Sequence, residues 1–158
     1  MRKSRSFVAL AAIMLTAFSH PATAEEPDQV GFIQFYNTGS YTIDNVWIKW
    51  KDGKETKQHR FTQNIAGGAS IGYACYDLAK IKASDGASIP DGAEVWLTAA
   101  IGEGETKSCR KDTKKFYEEG SSEVLRVRMG GETYTNNRCK LGIKDQSGDN
   151  THGNSNAC

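Results

Sequence analysis

The 158-residue sequence predicts an all-β fold, an antiparallel β-sandwich or alternatively a small barrel, with about seven or eight short strands, disulfide bracing and a flexible C-terminal tail. Three observations carry that expectation. Apolar and polar residues alternate over short runs, Gly, Pro, Asn and Asp interrupt the runs at close intervals, and no amphipathic helix of useful length occurs after residue 24.

The first 24 residues read as an export signal. Arg2, Lys3 and Arg5 form a positive start, Phe7 to Phe18 is apolar apart from Thr16, and Ala22-Thr23-Ala24 is a small-x-small cleavage pattern. The expectation is a bacterial-style signal peptide cut before Glu25, and hence a secreted or periplasmic protein. The remaining 134 residues suit one domain, with the sandwich over 25–141 and a polar tail over 142–158 ending in Cys158. They carry 17 basic and 19 acidic residues, a balance that offers no general attraction to nucleic acid. No later apolar run approaches the roughly 20 residues needed to span a bilayer. No cysteine lies at the cut site to accept a lipid.

The strands follow in order. Val30 to Asn37, rich in Phe32, Ile33, Phe35 and Tyr36, is the first, closed by the turn Asn37-Thr38-Gly39-Ser40. Tyr41 to Lys51 is the second, with Val46, Ile48 and Trp50 on one face and Asn45, Trp47 and Lys49 on the other. Asp52-Gly53 is a hairpin signal, so Thr56 to Thr62 returns antiparallel. Ala66-Gly67-Gly68 separates it from a strand over Ser70 to Cys75. Tyr76 to Ala87 reads as a loop pinned by Leu78 and Ile81, one helical turn being the alternative.

Pro90-Asp91-Gly92 is a turn in which proline presets φ and glycine accepts a positive φ. Val95, Leu97, Ala99 and Ile101 then alternate with Glu94, Trp96, Thr98 and Ala100 in the clearest strand of the chain. Lys107 to Lys111 pairs back, Lys114 to Tyr117 is a short piece, Glu123 to Met129 is another strand, and Thr133 to Leu141 completes a final hairpin. Gly142 to Ala157 is too polar to bury a core of its own.

Four cysteines, Cys75, Cys109, Cys139 and Cys158, fit an oxidising compartment and allow three pairings. Cys109 with Cys139 is favoured because both sit at ends of neighbouring predicted strands, leaving Cys75 for Cys158. A Cys-x-x-Cys is missing, which argues against metal and redox roles.

Motifs that suggest chemistry fail on their context. Gly68-Ala69-Ser70-Ile71-Gly72 matches a nucleophile elbow, but the later His152 lies in the tail and the chain lacks the helices of a hydrolase sheet. Gly102 to Ser108 has Thr106 where a phosphate loop needs glycine, and reads as a hairpin turn. The run from Asp145 to Asn150 lacks the glycine and glutamate of a calcium loop. His59 is expected to be a partly exposed strand residue, and Glu118 and Glu119 point to opposite faces. No catalytic residue, metal or cofactor is expected.

What remains is an outward surface. If Val46, Ile48 and Trp50 are buried, Asn45, Trp47 and Lys49 face out, and the same parity turns Trp96 and Thr98 outward. Tryptophans beside polar side chains stack on sugars or anchor protein partners. Arg126 and Arg128, with Lys107 and Arg110, are expected on neighbouring strands as a positive patch. The function expected is therefore a non-enzymatic binding protein holding a glycan or protein. One alternative is a toxin-like sandwich making peripheral contact with membrane lipid: scattered residues around Asn37, Trp50 and Cys75 resemble aegerolysin-type lipid-binding sandwiches. The other is a small inhibitor or immunity protein.

Overall fold

The computed structural model describes residues 28–68, 72–110, 114–133, 135–141 and 158. Alternating inward residues produce two sheets. The first contains β1 (Gln29–Val30), β8 (Lys115–Tyr117), β6 (Glu94–Ile101), β3 (Ile43–Asp52) and β4 (Glu55–Ile65), side by side in that order, with β7 (Thr106–Ser108) also pairing with β6. The second runs β10 (Arg138–Leu141), β9 (Val124–Gly130), β2 (Phe32–Asn37) and β5 (Tyr73–Asp77). Val46, Ile48, Trp50, Val95, Leu97 and Ala99 of the first sheet meet Ile33, Phe35, Leu125, Val127 and Met129 of the second in one buried cluster. The protein is thus the all-β sandwich that its alternation predicts.

Besides shifts at strand ends, such as β5 running on to Asp77, two features of the topology differ from expectation. The first predicted strand is split at Gly31: Val30 belongs to an edge of one sheet and Phe32 to the middle of the other. The amides of Gly31 and Phe32 both donate to the Glu123 carbonyl, at 3.0 and 3.2 Å, and a Cβ at Gly31 would run into the Ser121 carbonyl oxygen. Only glycine lets the backbones come this close. The sandwich is also not wholly antiparallel. β1 pairs parallel with β8, and β2 parallel with β9. These partners are far apart in sequence, so no tight hairpin sets their direction.

Asn37 ties the sheets at the first turn. Wholly buried, it donates through Nδ2 to the carbonyls of Tyr41 (2.6 Å) and Ile65 (2.8 Å) and accepts from the Gly39 amide at 3.1 Å. The uncertain segment after Tyr76 contains a single 3₁₀ turn, Leu78–Lys80, capped by the Asp77 carboxylate accepting from the Ala79 amide at 3.1 Å. Leu78, Ile81 and Ile89 pin the segment to the core, and His59 Nδ1 lies 2.6 Å from the Lys82 carbonyl oxygen.

Both disulfides pair as favoured: Cys109 with Cys139 across 30 residues and Cys75 with Cys158 across 83, with Cα separations of 5.3 and 5.4 Å. The first joins the end of β7 to β10, and so one sheet to the other; the second fastens the chain's last residue to β5. Gly102 to Ser108 forms the hairpin between β6 and β7, Glu103 taking a φ of +59°. No helix among the described residues is long and apolar enough to cross a membrane. The signal peptide and its cut site, Ala69 to Ile71 of the elbow-like motif, and the tail from Gly142 to Ala157 lie outside the described residues.

Candidate functional site

The outer face of the six-stranded sheet is built by register. Gly53, at a φ of +59°, closes the β3–β4 hairpin, setting Trp47 opposite Arg60, Lys49 opposite Gln58 and Asn45 opposite Thr62. On the other flank of β3, Trp47 faces Thr98 and Lys49 faces Trp96. Cross-strand partners share a face, so Asn45, Trp47, Lys49, Trp96 and Thr98 lie together on the side away from the core, as their parity predicts.

Facing outward does not leave them all bare. Trp96 is 7% exposed, Thr98 4% and Glu94 8%. Arg110, which follows β7, lies over Trp96. Its guanidinium carbon stands 4.5 Å from the Trp96 ring centroid, while Nε and Nη2 donate to the two oxygens of Glu94 at 2.7 Å each. Those hydrogen bonds hold the Glu94 carboxyl below its ordinary pKa, against burial, which acts to raise it. The Arg110 guanidinium is raised in turn, first by the same bonds.

Trp47 is half-buried, with the Arg60 guanidinium carbon 5.7 Å from its ring centroid. Asn45 sets that geometry by accepting from Arg60 Nε at 2.8 Å. The face therefore carries two indoles at diagonal cross-strand positions, each under an arginine that is itself held by a polar neighbour. The Thr98 hydroxyl, cross-strand from Trp47, is buried and has no hydrogen-bond partner among the described residues.

Arg126 and Arg128 lie elsewhere. They occupy the outer face of the four-stranded sheet, opposite Gln34 and Tyr36 of β2, on the far side of the core from Trp47. The expected single patch of Arg126, Arg128, Lys107 and Arg110 does not form, because β9 pairs with β2 and β10 and not with β7. Lys107 pairs with Glu105 at 2.9 Å, and Arg110 with Glu94. Around Arg128 the structure instead assembles Lys140, its direct partner on β10, and Arg138. Burial raises the pKa of neighbouring Tyr36, offset in part by Arg126.

Sequence reasoning passed over Arg60, Arg138 and Lys140, and it placed Glu94 beside Trp96 and Arg110 in a positive patch without pairing the two. For Arg60 a signal existed: counting back from the Asp52-Gly53 turn pairs it with Trp47. For Arg110 none did, since it reaches Glu94 from beyond the end of a strand. Among the described residues no cluster of His, Cys, Asp and Glu is arranged to hold a metal ion.

No protein-family model and no curated protein matches the chain. Among solved structures it is similar to an NMR structure of a protein from Eubacterium rectale, at 14% identity and a TM-score of 0.40, over 71% of this chain and 85% of that one. It is also similar to a Gram-negative toxin, at 13% identity and a TM-score of 0.34, over 73% of this chain and 23% of that one. A third likeness is to the membrane-binding domain of pneumolysin, at 10% identity and a TM-score of 0.32, over 73% and 98% of the two chains. The chain thus spans under a quarter of the toxin's length. At such identities and TM-scores these likenesses carry no argument about what the chain does.

Proposed function

We propose that this is a non-enzymatic, extracytoplasmic binding protein that engages a protein partner through the outer face of its six-stranded sheet. The observation that supports this reading is the pair of neighbouring tryptophans, Trp47 and Trp96, each lying beneath an arginine. Tryptophan and arginine dominate the energetic centres of protein interfaces. A sugar would need an open indole face for stacking, and here the guanidiniums of Arg60 and Arg110 lie over those faces. The exposed Arg60 and the half-buried Lys49 give the surface a basic rim, suited to a partner whose apolar contact is edged with carboxylates.

The same face is ill suited to proton transfer. Both Glu94 oxygens are occupied by Arg110 and its carboxyl is held ionised, the opposite of a group poised near neutral pH. Export, supported by the sequence signal and the two disulfides, puts the partner outside the cytoplasm.

The test is capture of partners on immobilised mature protein, followed by titration of each purified partner. Trp47→Ala and the exposed Arg60→Glu should each weaken a true partner at least tenfold, while Glu119→Gln on another surface should leave it unchanged. Equal binding by all three variants overturns the reading, as does selective retention on a glycan array or on neutral liposomes without any protein partner.

A further inference from the structure

We propose that the outer face of the four-stranded sheet carries a separate site for a phosphate group, formed by Arg128, Arg138 and Lys140. This goes beyond the protein-docking reading and uses the opposite side of the molecule. The three cations line a cavity of about 200 Å³, with Thr38 and Asn136 at its rim. Pockets for whole small molecules run to about 300–1,000 Å³, so this one suits a charged group and a little of its carrier.

Register explains why the cavity exists. Arg128 on β9 stands directly opposite Lys140 on β10, and Arg138, two residues before Lys140, points to the same face. The β9 residue opposite Arg138 is Gly130, which has no side chain to fill the floor. A Cβ there would meet Thr38 Oγ1 at 3.0 Å.

Charge explains what the cavity is for. Like charges directly opposite across a strand pair destabilise a sheet. Among the described residues no carboxylate lines this cavity and none of the three cations has an ion-pair partner. Some cations elsewhere are paired, Lys57 with Asp52 and Asp85, Lys107 with Glu105 and Arg110 with Glu94, but here three stand together with none. An anion completes the unpaired cluster. A phosphate monoester near neutral pH carries close to two negative charges and three acceptor oxygens, matching two arginine forks and a lysine better than a single carboxylate would.

The probes are inorganic phosphate, glycerol phosphate, and vesicles of phosphatidic acid against phosphatidylcholine, all at constant ionic strength set with chloride. The site predicts that phosphate raises the unfolding temperature of the unmodified protein. Arg138→Gln and Lys140→Gln, both at exposed positions, should weaken phosphate binding at least tenfold and leave the unliganded protein as stable as before or more so. That combination separates a ligand site from a structural one.

Binding of inorganic phosphate and glycerol phosphate with no preference between vesicles identifies a free metabolite as the source; selective retention on phosphatidic acid identifies a lipid headgroup. Either supports the site. Partner binding through Trp47 should be unaffected by these variants, so the two proposals fail independently. Failure of every probe, responses that chloride reproduces at equal concentration, or variants that bind as tightly as the parent would overturn it.

Discussion

Arg110 grips both carboxylate oxygens of Glu94 at 2.7 Å and lays the same guanidinium over the Trp96 ring at 4.5 Å. One surface side chain thus neutralises a buried anion and roofs an indole. Removing it as Arg110→Ala leaves Glu94 buried without its partner and Trp96 open to water. Because the Arg110 side chain is 40% exposed, water recovers part of the lost interaction, and a destabilisation of about 1 kcal/mol is expected in denaturant titrations.

The same pair sets a pH dependence. The folded Glu94 carboxyl titrates below its unfolded value of about 4.3, so its stabilisation is complete above that pH and is lost as pH falls through the folded value. Stability of the parent should fall more steeply below about pH 4.3 than that of Glu94→Gln, the two unfolding curves converging in acid. Parallel curves across that window would remove Glu94 from the account.

Gly31 should be intolerant of any side chain. Its missing Cβ is the space taken by the Ser121 backbone, which cannot swing aside as a side chain would. Gly31→Ala is expected to cost about 1–3 kcal/mol, read as a lower denaturant midpoint. Ala at Gly53, where nothing lies near the added carbon, tests instead the strain of a positive φ alone.

The disulfides should differ in weight. By restriction of the unfolded chain, the loop of 30 residues between Cys109 and Cys139 contributes about 3.5 kcal/mol and the 83-residue loop between Cys75 and Cys158 about 4.5 kcal/mol. Replacing each pair with serines and measuring urea midpoints checks both. The Cys109 and Cys139 pair is also buried in the core, so its serine variant should lose further stability through packing.

Much of the fold was legible because alternation speaks directly to burial. Val46, Ile48 and Trp50 declare an inner face, which fixes the outward side of Asn45, Trp47 and Lys49 with no knowledge of topology. The Asp52-Gly53 hairpin and the Pro90-Asp91-Gly92 turn were equally readable, since both are local. What was hidden depends on distant segments. Nothing near Val30 announces that Gly31 must pass beside Ser121, and nothing near Phe32 announces a parallel partner in β9. The candidate site divides along the same line. That Trp47 and Trp96 share a face follows from parity plus one pairing, whereas the burial of Trp96 depends on Arg110, which folds back from beyond a strand end. The final hairpin was legible, but the register that sets Lys140 against Arg128 was not, since no two-residue turn fixes it.

The two cystines are concentric in sequence: the span from Cys109 to Cys139 sits wholly inside the span from Cys75 to Cys158. A single peptide-bond scission anywhere between residues 75 and 158 therefore yields two pieces that stay covalently joined. In oxidising surroundings, a clipped copy keeps every strand and both outer surfaces on one particle until a reductant arrives.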